Sequence, residues 1–157
     1  VRLLEMLKTK LVHQINIRDM LKLEVTESAY AELESDAISF LNEMKALGLS
    51  LMLDDFGSGM SSFSTLENFE FDIIKIDMGF ISQIGKGGKA ESIIKHIIGL
   101  SHDVGAKVVA EGVETKEQFA FLQSVNCDMI QGYYFYKPMT EAEFAKLLDS
   151  SAIADMN

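Results

Sequence analysis

Six acidic, basic or amide stations recur along the chain, each at the downstream end of a short apolar run. They are Glu24, the adjacent Asp54-Asp55, Lys75, Asp77, Glu111 and Gln131. From Glu24 to Asp54, Lys75, Glu111 and Gln131 the intervals are 30, 21, 36 and 20 residues, about one strand plus one helix each time. If the strands are parallel and close into a barrel, their C-terminal ends share one mouth and these groups converge. Several carboxylates at one mouth repel one another, and some would take up protons unless a cation compensates. Carboxylate and amide oxygens, with neither a cysteine nor a helical histidine pair among them, suit Mg²⁺ or Mn²⁺ better than zinc. Adjacent carboxylates at Asp54-Asp55 offer oxygens to two ions, an arrangement that suits phosphoryl chemistry. Lys75 lies inside Ile74-Lys75-Ile76, where an ammonium is costly unless it is paired or reactive. A single acid after a strand is ordinarily a helix cap or a solvated turn. The same placement at five strands is not explained that way.

The elements that must position these groups are legible from periodicity. Strands are expected over Leu21 to Val25, Leu49 to Asp55, Ile73 to Asp77, Ala106 to Glu111 and Met129 to Phe135. Helical patterns cover Arg2 to Val12, Asp36 to Leu47, Ser61 to Asn68, Ala90 to Val104, Lys116 to Ser124 and Glu141 to Ser150. Thr115-x-x-Gln118 and Thr140-x-x-Glu143 have the form of capping boxes, and Gly48 and Gly105 stand where helix C-termini place glycine. Repeated βα units imply a parallel sheet, either doubly wound or closed into a barrel.

Composition narrows the function classes. The chain has 157 residues, 48% of them hydrophobic, which excludes intrinsic disorder and allows a sizeable core. A net charge of −10 argues against direct capture of DNA or RNA, which needs basic patches. One cysteine, Cys127, excludes a disulfide framework and fits a reducing, cytoplasmic setting; it is expected to pack as a small hydrophobe. No apolar run has the length of a membrane span, Val1-Arg2-Leu3 does not begin a signal peptide, and a start at Val suggests part of a longer protein.

Two phosphate-binding patterns fail. Gly57-x-Gly59-x-x-Ser62 lacks the third glycine of a dinucleotide fingerprint and follows two aspartates that would repel a pyrophosphate. Gly79 to Lys86 has one residue too many for a phosphate loop and Gly87 in place of Ser or Thr, so it is expected to be a flexible surface turn. His13, His96 and His102 have no metal-ligand spacing, and no nucleophilic triad is present.

Taken together, Leu23-Glu24-Val25-Thr26-Glu27-Ser28, Asp54-Asp55-Phe56-Gly57-Ser58-Gly59-Met60-Ser61-Ser62, Lys75-Ile76-Asp77, Ala110-Glu111-Gly112-Val113-Glu114-Thr115 and Gln131-Gly132-Tyr133-Tyr134-Phe135-x-Lys137-Pro138 resemble the EAL domain family. These are bacterial phosphodiesterases that linearise cyclic di-GMP. Five motifs occur in family order and span residues 20 to 140 or so. Met60 replaces a common tyrosine, and Met78-Gly79 stand where Arg-Ser is frequent.

The resemblance implies a TIM-type (β/α)8 barrel, of which the chain would be an incomplete part with about five parallel βα units. Residues 1–157 would be the C-terminal part of a single EAL domain. The first strands would be absent, and with them two ligands, the Glu of the naming motif and an Asn. It implies that Glu24, Asp54, Asp55 and Glu111 ligate two Mg²⁺ or Mn²⁺ ions and that Lys75 holds or polarises the attacking water. Glu111 is in some proposals the general base. Glu114, Gln131 and Asp77 would belong to the shell around metal, water and substrate, and Glu27 would brace the loop from Phe56 to Ser62. Further implications are a homodimer and fused GGDEF, PAS or membrane sensor segments outside the chain. The alternatives are a cyclic di-GMP receptor without catalysis and an unrelated metal-dependent barrel enzyme. The isolated chain, with open sheet edges, is expected to be inactive.

Overall fold

A computed structural model describes residues 21–32, 35–57 and 62–149. The helix expected over Arg2 to Val12, His13, and Ser58 to Ser61 of the glycine-rich loop lie outside the described residues. The elements run β1 (Lys22–Thr26), α1 (Glu27–Ala31), α2 (Ser35–Ala46), β2 (Ser50–Phe56), α3 (Ser62–Asn68), β3 (Ile73–Ile76), α4 (Met78–Ile81), α5 (Ala90–Asp103), β4 (Lys107–Ala110), α6 (Lys116–Ser124), β5 (Met129–Ile130) and α7 (Glu141–Asp149). The strands form one sheet in the order β1-β2-β3-β4-β5, and every neighbouring pair is parallel. The parallel βα architecture read from the sequence is therefore present, as an open sheet.

Alternation along the strands separates two faces. Leu51 and Leu53 of β2 and Ile74 of β3 pack outward against Leu41 and Met44 of α2 and the aromatic trio Tyr30, Phe69 and Phe71. Further along, Ile76, Val108 and Ala110 pack against Ile94 and Ile98 of α5 and Leu122 of α6. The opposite face is narrower: Met52, Ile73 and Val109 form a small buried cluster with Met129 beside it. Two residues beyond each of these four, on the same face by the period of two, come Asp54, Lys75, Glu111 and Gln131. An apolar floor thus lies directly beneath the polar stations.

Helix ends follow the sequence signals. Thr115 Oγ1 accepts the N–H of Gln118 at 3.2 Å while Gln118 Oε1 accepts that of Thr115 at 3.0 Å, closing the capping box. Gly48 and Gly105 stop α2 and α5 in the left-handed region, at φ 84° and 83°. Two short helices were not anticipated. α1 is capped by Thr26 and α4 by Asp77, whose Oδ1 accepts the Gly79 N–H at 2.8 Å. The surface turn expected over Gly79 to Lys86 therefore begins as helix.

The strand expected over Met129 to Phe135 pairs only at Met129 and Ile130. Gly132 lies so close to the Val113 backbone that a Cβ there would come within 2.1 Å of its carbonyl oxygen. The chain then turns, and Tyr134 and Phe135 pack their rings against Phe119 of α6 at centroid distances of 5.4 and 5.5 Å. Aromatic strand formers are used here to close a turn over a helix.

Candidate active site

Lys75 is the centre of the charged cluster. Its Nζ lies 2.8 Å from Glu111 Oε1, 3.1 Å from Glu24 Oε2 and 3.1 Å from Asp54 Oδ1. The lysine side chain is only 8% exposed, against 50% for Glu24, 19% for Asp54 and 21% for Glu111. Burial alone would push the ammonium's pKa down. Hydrogen bonds with Glu111, Glu24 and Asp54 outweigh it and hold the group charged, above its ordinary value. A buried cation in mid-strand is tolerated because four strands supply its position and its partners: β1 Glu24, β2 Asp54, β3 Lys75, and Glu111 just past β4.

The adjacent aspartates owe their joint position to a bulge. Register between β2 and β3 is regular at Met52–Ile73 and Leu53–Ile74, then shifts so that Phe56 pairs with Ile76. One extra residue in β2 breaks the alternation that would send Asp54 and Asp55 to opposite faces. Asp55 takes φ 56°, uncommon for a side-chain-bearing residue, and its N–H donates to Asp54 Oδ1 at 2.9 Å. Desolvation, then the charges of Asp54 and Asp77, push the Asp55 carboxyl above its usual range, with Lys75 opposing. The negative charge around Asp55 is therefore more than Lys75 balances.

Glu27 is 1% exposed. Its Oε2 accepts the N–H of Gly57 at 2.9 Å, which ties the first turn of α1 to the end of β2. Asp77 caps α4 and reaches Asp55 only through its field. Glu114 and Gln131 are not brought to Lys75. The Glu114 N–H donates to Gln118 Oε1 at 2.8 Å, and Gln131 bonds through its main chain to Ala110 and Val113. Gln131 also borders a cavity of about 1040 Å³ between α6 and the turn after β5, with Phe119, Ile130 and Tyr134. The Lys75 cluster lies on the open sheet face and lines neither this cavity nor a second of about 720 Å³ beside α5.

The donor set is oxygen only, and its residual negative charge at Asp54, Asp55 and Asp77 fits a hard divalent cation. The carboxylates gather around the ammonium, however, and not around a point of their own. Among the described residues, no three Asp, Glu, His or Cys side chains close on a shared metal position. Cys127 is half-buried, with its thiol pushed up to about 11 by burial, as expected of a packing residue. His102 pairs with Asp128 at 2.8 Å. Sequence reading passed over Asp128 and Asp72, although each stands immediately before a strand's apolar run.

A parallel βα sheet with a lysine-centred acidic cluster at the strand C-termini defines an α/β protein whose charged groups gather at one end of the sheet. The chain belongs to the EAL domain family, whose profile matches residues 2–138. It is 40% identical over 128 residues to the cyclic di-GMP phosphodiesterase NbdA of Pseudomonas aeruginosa, covering 82% of this chain and 16% of that protein. Across the first curated relatives it matches, the chain spans between 16% and 26% of their length. Among solved structures, the PaMucR phosphodiesterase in complex with c-di-GMP matches with a TM-score of 0.80 and 34% identity, over 90% of this chain and 57% of that one. The manganese and cy-diGMP complex of Klebsiella pneumoniae BlrP1 matches with a TM-score of 0.66 and 36% identity, over 70% and 28%. The open sheet thus corresponds to part of a TIM-like EAL barrel.

Proposed function

We propose that this chain carries the main part of the catalytic face of a cyclic di-GMP phosphodiesterase, which hydrolyses one phosphodiester of the cyclic dinucleotide to give linear pGpG. The observation that carries it is the convergence of Glu24, Asp54 and Glu111 on Lys75, with Asp55 beside them, in a family whose named relatives include such enzymes. In the reaction a water oxygen bonds to phosphorus, the P–O3′ bond breaks, and a proton is delivered to the leaving oxygen. Glu24, Asp54, Asp55 and Glu111 would hold divalent metal, Mg²⁺ or Mn²⁺, two ions in the full site. Bound metal supplies a water of lowered pKa and neutralises the phosphodiester. Lys75 holds its proton throughout and orients the water's oxygen, while Glu111, its nearest partner, takes the water's proton. Glu27 fixes Gly57, where the glycine-rich loop begins, and Glu114, Gln131 and Asp77 would complete a wider shell around metal, water and substrate.

Because the substrate is a cytoplasmic nucleotide, the domain works in the cytoplasm; among the described residues no helix is long and apolar enough to cross a membrane. The working protein is inferred to be a homodimer with fused GGDEF, PAS or other sensor segments. The 157-residue chain alone is proposed to be inactive, since β1 and β5 each leave one side of the described sheet unpaired.

The test is chromatographic: the whole protein with Mn²⁺ or Mg²⁺ should convert cyclic di-GMP to pGpG, and Glu111→Ala should abolish conversion. Tight binding of cyclic di-GMP without product would replace the enzyme reading by that of a receptor. Turnover of other phosphoesters alone would replace both.

A further inference from the structure

The charged cluster lies at the C-terminal ends of the strands, yet two specific side-chain devices sit at the opposite ends and repeat each other. Asp72, immediately before β3, accepts the Leu51 N–H on Oδ2 at 2.8 Å and donates its own N–H to the Leu51 carbonyl at 3.0 Å. Its other oxygen lies 3.7 Å from Nζ of Lys45 in the last turn of α2. Asp128, immediately before β5, accepts the Val108 N–H on Oδ2 at 2.8 Å and meets His102 Nε2, in the last turn of α5, at 2.8 Å. Lys45, Leu51 and Asp54 recur 57 positions later as His102, Val108 and Glu111, while Asp72 and Lys75 recur 56 positions later as Asp128 and Gln131. Both helices end through the same turn, with Gly48 and Gly105 donating to the carbonyls of Lys45 and His102 at 2.9 and 3.0 Å.

We propose that Asp72 and Asp128 are positioning residues, register latches that set the reactive cluster from the far end of the sheet. The proposal rests on the reading of the Lys75 cluster as the reactive site. Asp72 stands three residues before Lys75 of β3 and grips Leu51, three before Asp54 of β2. Asp128 stands three before Gln131, just past β5, and grips Val108, three before Glu111, just past β4. Asp72 thereby fixes Lys75 against Asp54, and Asp128 fixes Gln131 against Glu111. The ladders themselves hold little: β2 and β3 lose regularity after Leu53, and β5 pairs at two residues only. A slip of one residue moves a strand by about 3.3 Å and turns its side chains to the other face. Contacts of 2.8 to 3.1 Å at Lys75 do not survive such a slip.

The test uses the whole protein with Asp72→Ala, Asp128→Ala and the two Asp→Asn variants. Asn keeps a carbonyl oxygen for the strand N–H and loses only the charge facing Lys45 or His102. Asp72→Ala should accelerate exchange of the Leu51 amide, and Asp128→Ala that of the Val108 amide, about tenfold or more, while a central amide such as Ile76 stays protected. The Nζ and Cε resonances of Lys75 should shift in both. Cyclic di-GMP turnover should lose about tenfold in kcat with KM within about twofold, because the chemistry is misaligned and substrate capture is not. The Asn variants should restore exchange and kcat to within about twofold of the parent. Unchanged exchange in the alanine variants overturns the latch. So does lost protection with unmoved Lys75 resonances and kcat, which would make the aspartates structural only. If an alanine variant does not fold, its Asn counterpart decides, since loss of kcat there would show that charge, and not the N–H acceptor, matters. If the parent protein does not turn over cyclic di-GMP, the functional reading falls and the exchange and Lys75 resonances still decide the latch.

Discussion

Replacing Lys75 by methionine removes the charge at the centre of the cluster with little change of volume. Three carboxylates at 2.8 to 3.1 Å from the lost ammonium are then left facing one another. Breaking a buried ion pair costs about 3–5 kcal/mol. Because half of the Glu24 side chain is exposed and water screens it, a net loss of about 2 kcal/mol at pH 7.5 is expected. The pH dependence has a definite sign. In the parent chain the Lys75 pKa is raised on folding, so its contribution is fully present below the ordinary lysine value of 10.5 and fades only in strong alkali. In the variant the crowded carboxylates accept protons as the solution is acidified, so the deficit should shrink between pH 7.5 and pH 4.5. Urea unfolding of both proteins at several pH values reads this directly, with a midpoint difference of about 1 M at pH 7.5 for an m-value near 2 kcal/mol/M. Millimolar Mn²⁺ should recover part of the loss in the variant if the freed carboxylates take up the cation. An equal midpoint for the two proteins at pH 7.5, or a deficit that does not change with pH, would refute the electrostatic reasoning.

Three further outcomes follow from buried groups. Glu27→Ala strands the Gly57 N–H without its acceptor and should cost about 2 kcal/mol, read as a fall in Tm together with faster exchange of the Gly57 amide. Tyr30 carries a buried hydroxyl with no hydrogen-bond partner among the described residues. Tyr30→Phe should therefore be neutral or stabilising by up to about 1 kcal/mol, and a clear fall in Tm would show that the hydroxyl has a partner. With its thiol at about 11, Cys127 is thiolate in only about one molecule in a thousand at pH 8. Ellman's reagent should label it slowly in the native protein and at once in urea; rapid native labelling would contradict the burial.

Much of the scaffold was legible because its apolar runs are short and its helix punctuation is explicit. Ile94 and Ile98, four residues apart on α5, are both buried on one helix face, and the Thr115 box closes as written. Misreadings arose where tertiary contacts override local preference. Tyr133-Tyr134-Phe135 has strand-forming side chains, but the close approach of Gly132 to Val113 and the seat on Phe119 turn the chain away from the sheet. α1 and α4 are too short to display a period, and the residues that cap them, Thr26 and Asp77, sit within motifs that invite a chemical reading. At the site, spacing alone brought Glu24, Asp54, Lys75 and Glu111 together. That all three acids meet on the lysine depends on strand register and on where a long side chain points, which spacing does not encode. Asp72 and Asp128 escaped notice for the same reason, because an acid before a strand reads as a loop residue until its N–H partner is known.

The extra residue in β2 makes the chemistry of the mouth sensitive to length as well as to side-chain identity. A substitution at Asp54 or Asp55 changes one charge and leaves the rest in place. Asp54 and Asp55 are the residues between Leu53 and Phe56, so deleting either one would remove an acid and the bulge together. The remaining acid would still lie on the mouth face, with Leu53 and Phe56 still in the helix-covered core. A lineage of such chains therefore has two unequal routes to lose the second acid. One is a point change that keeps the bulge and its positive-φ backbone, and the other is a one-residue deletion that removes the bulge itself and regularises the ladder from β2 to β3.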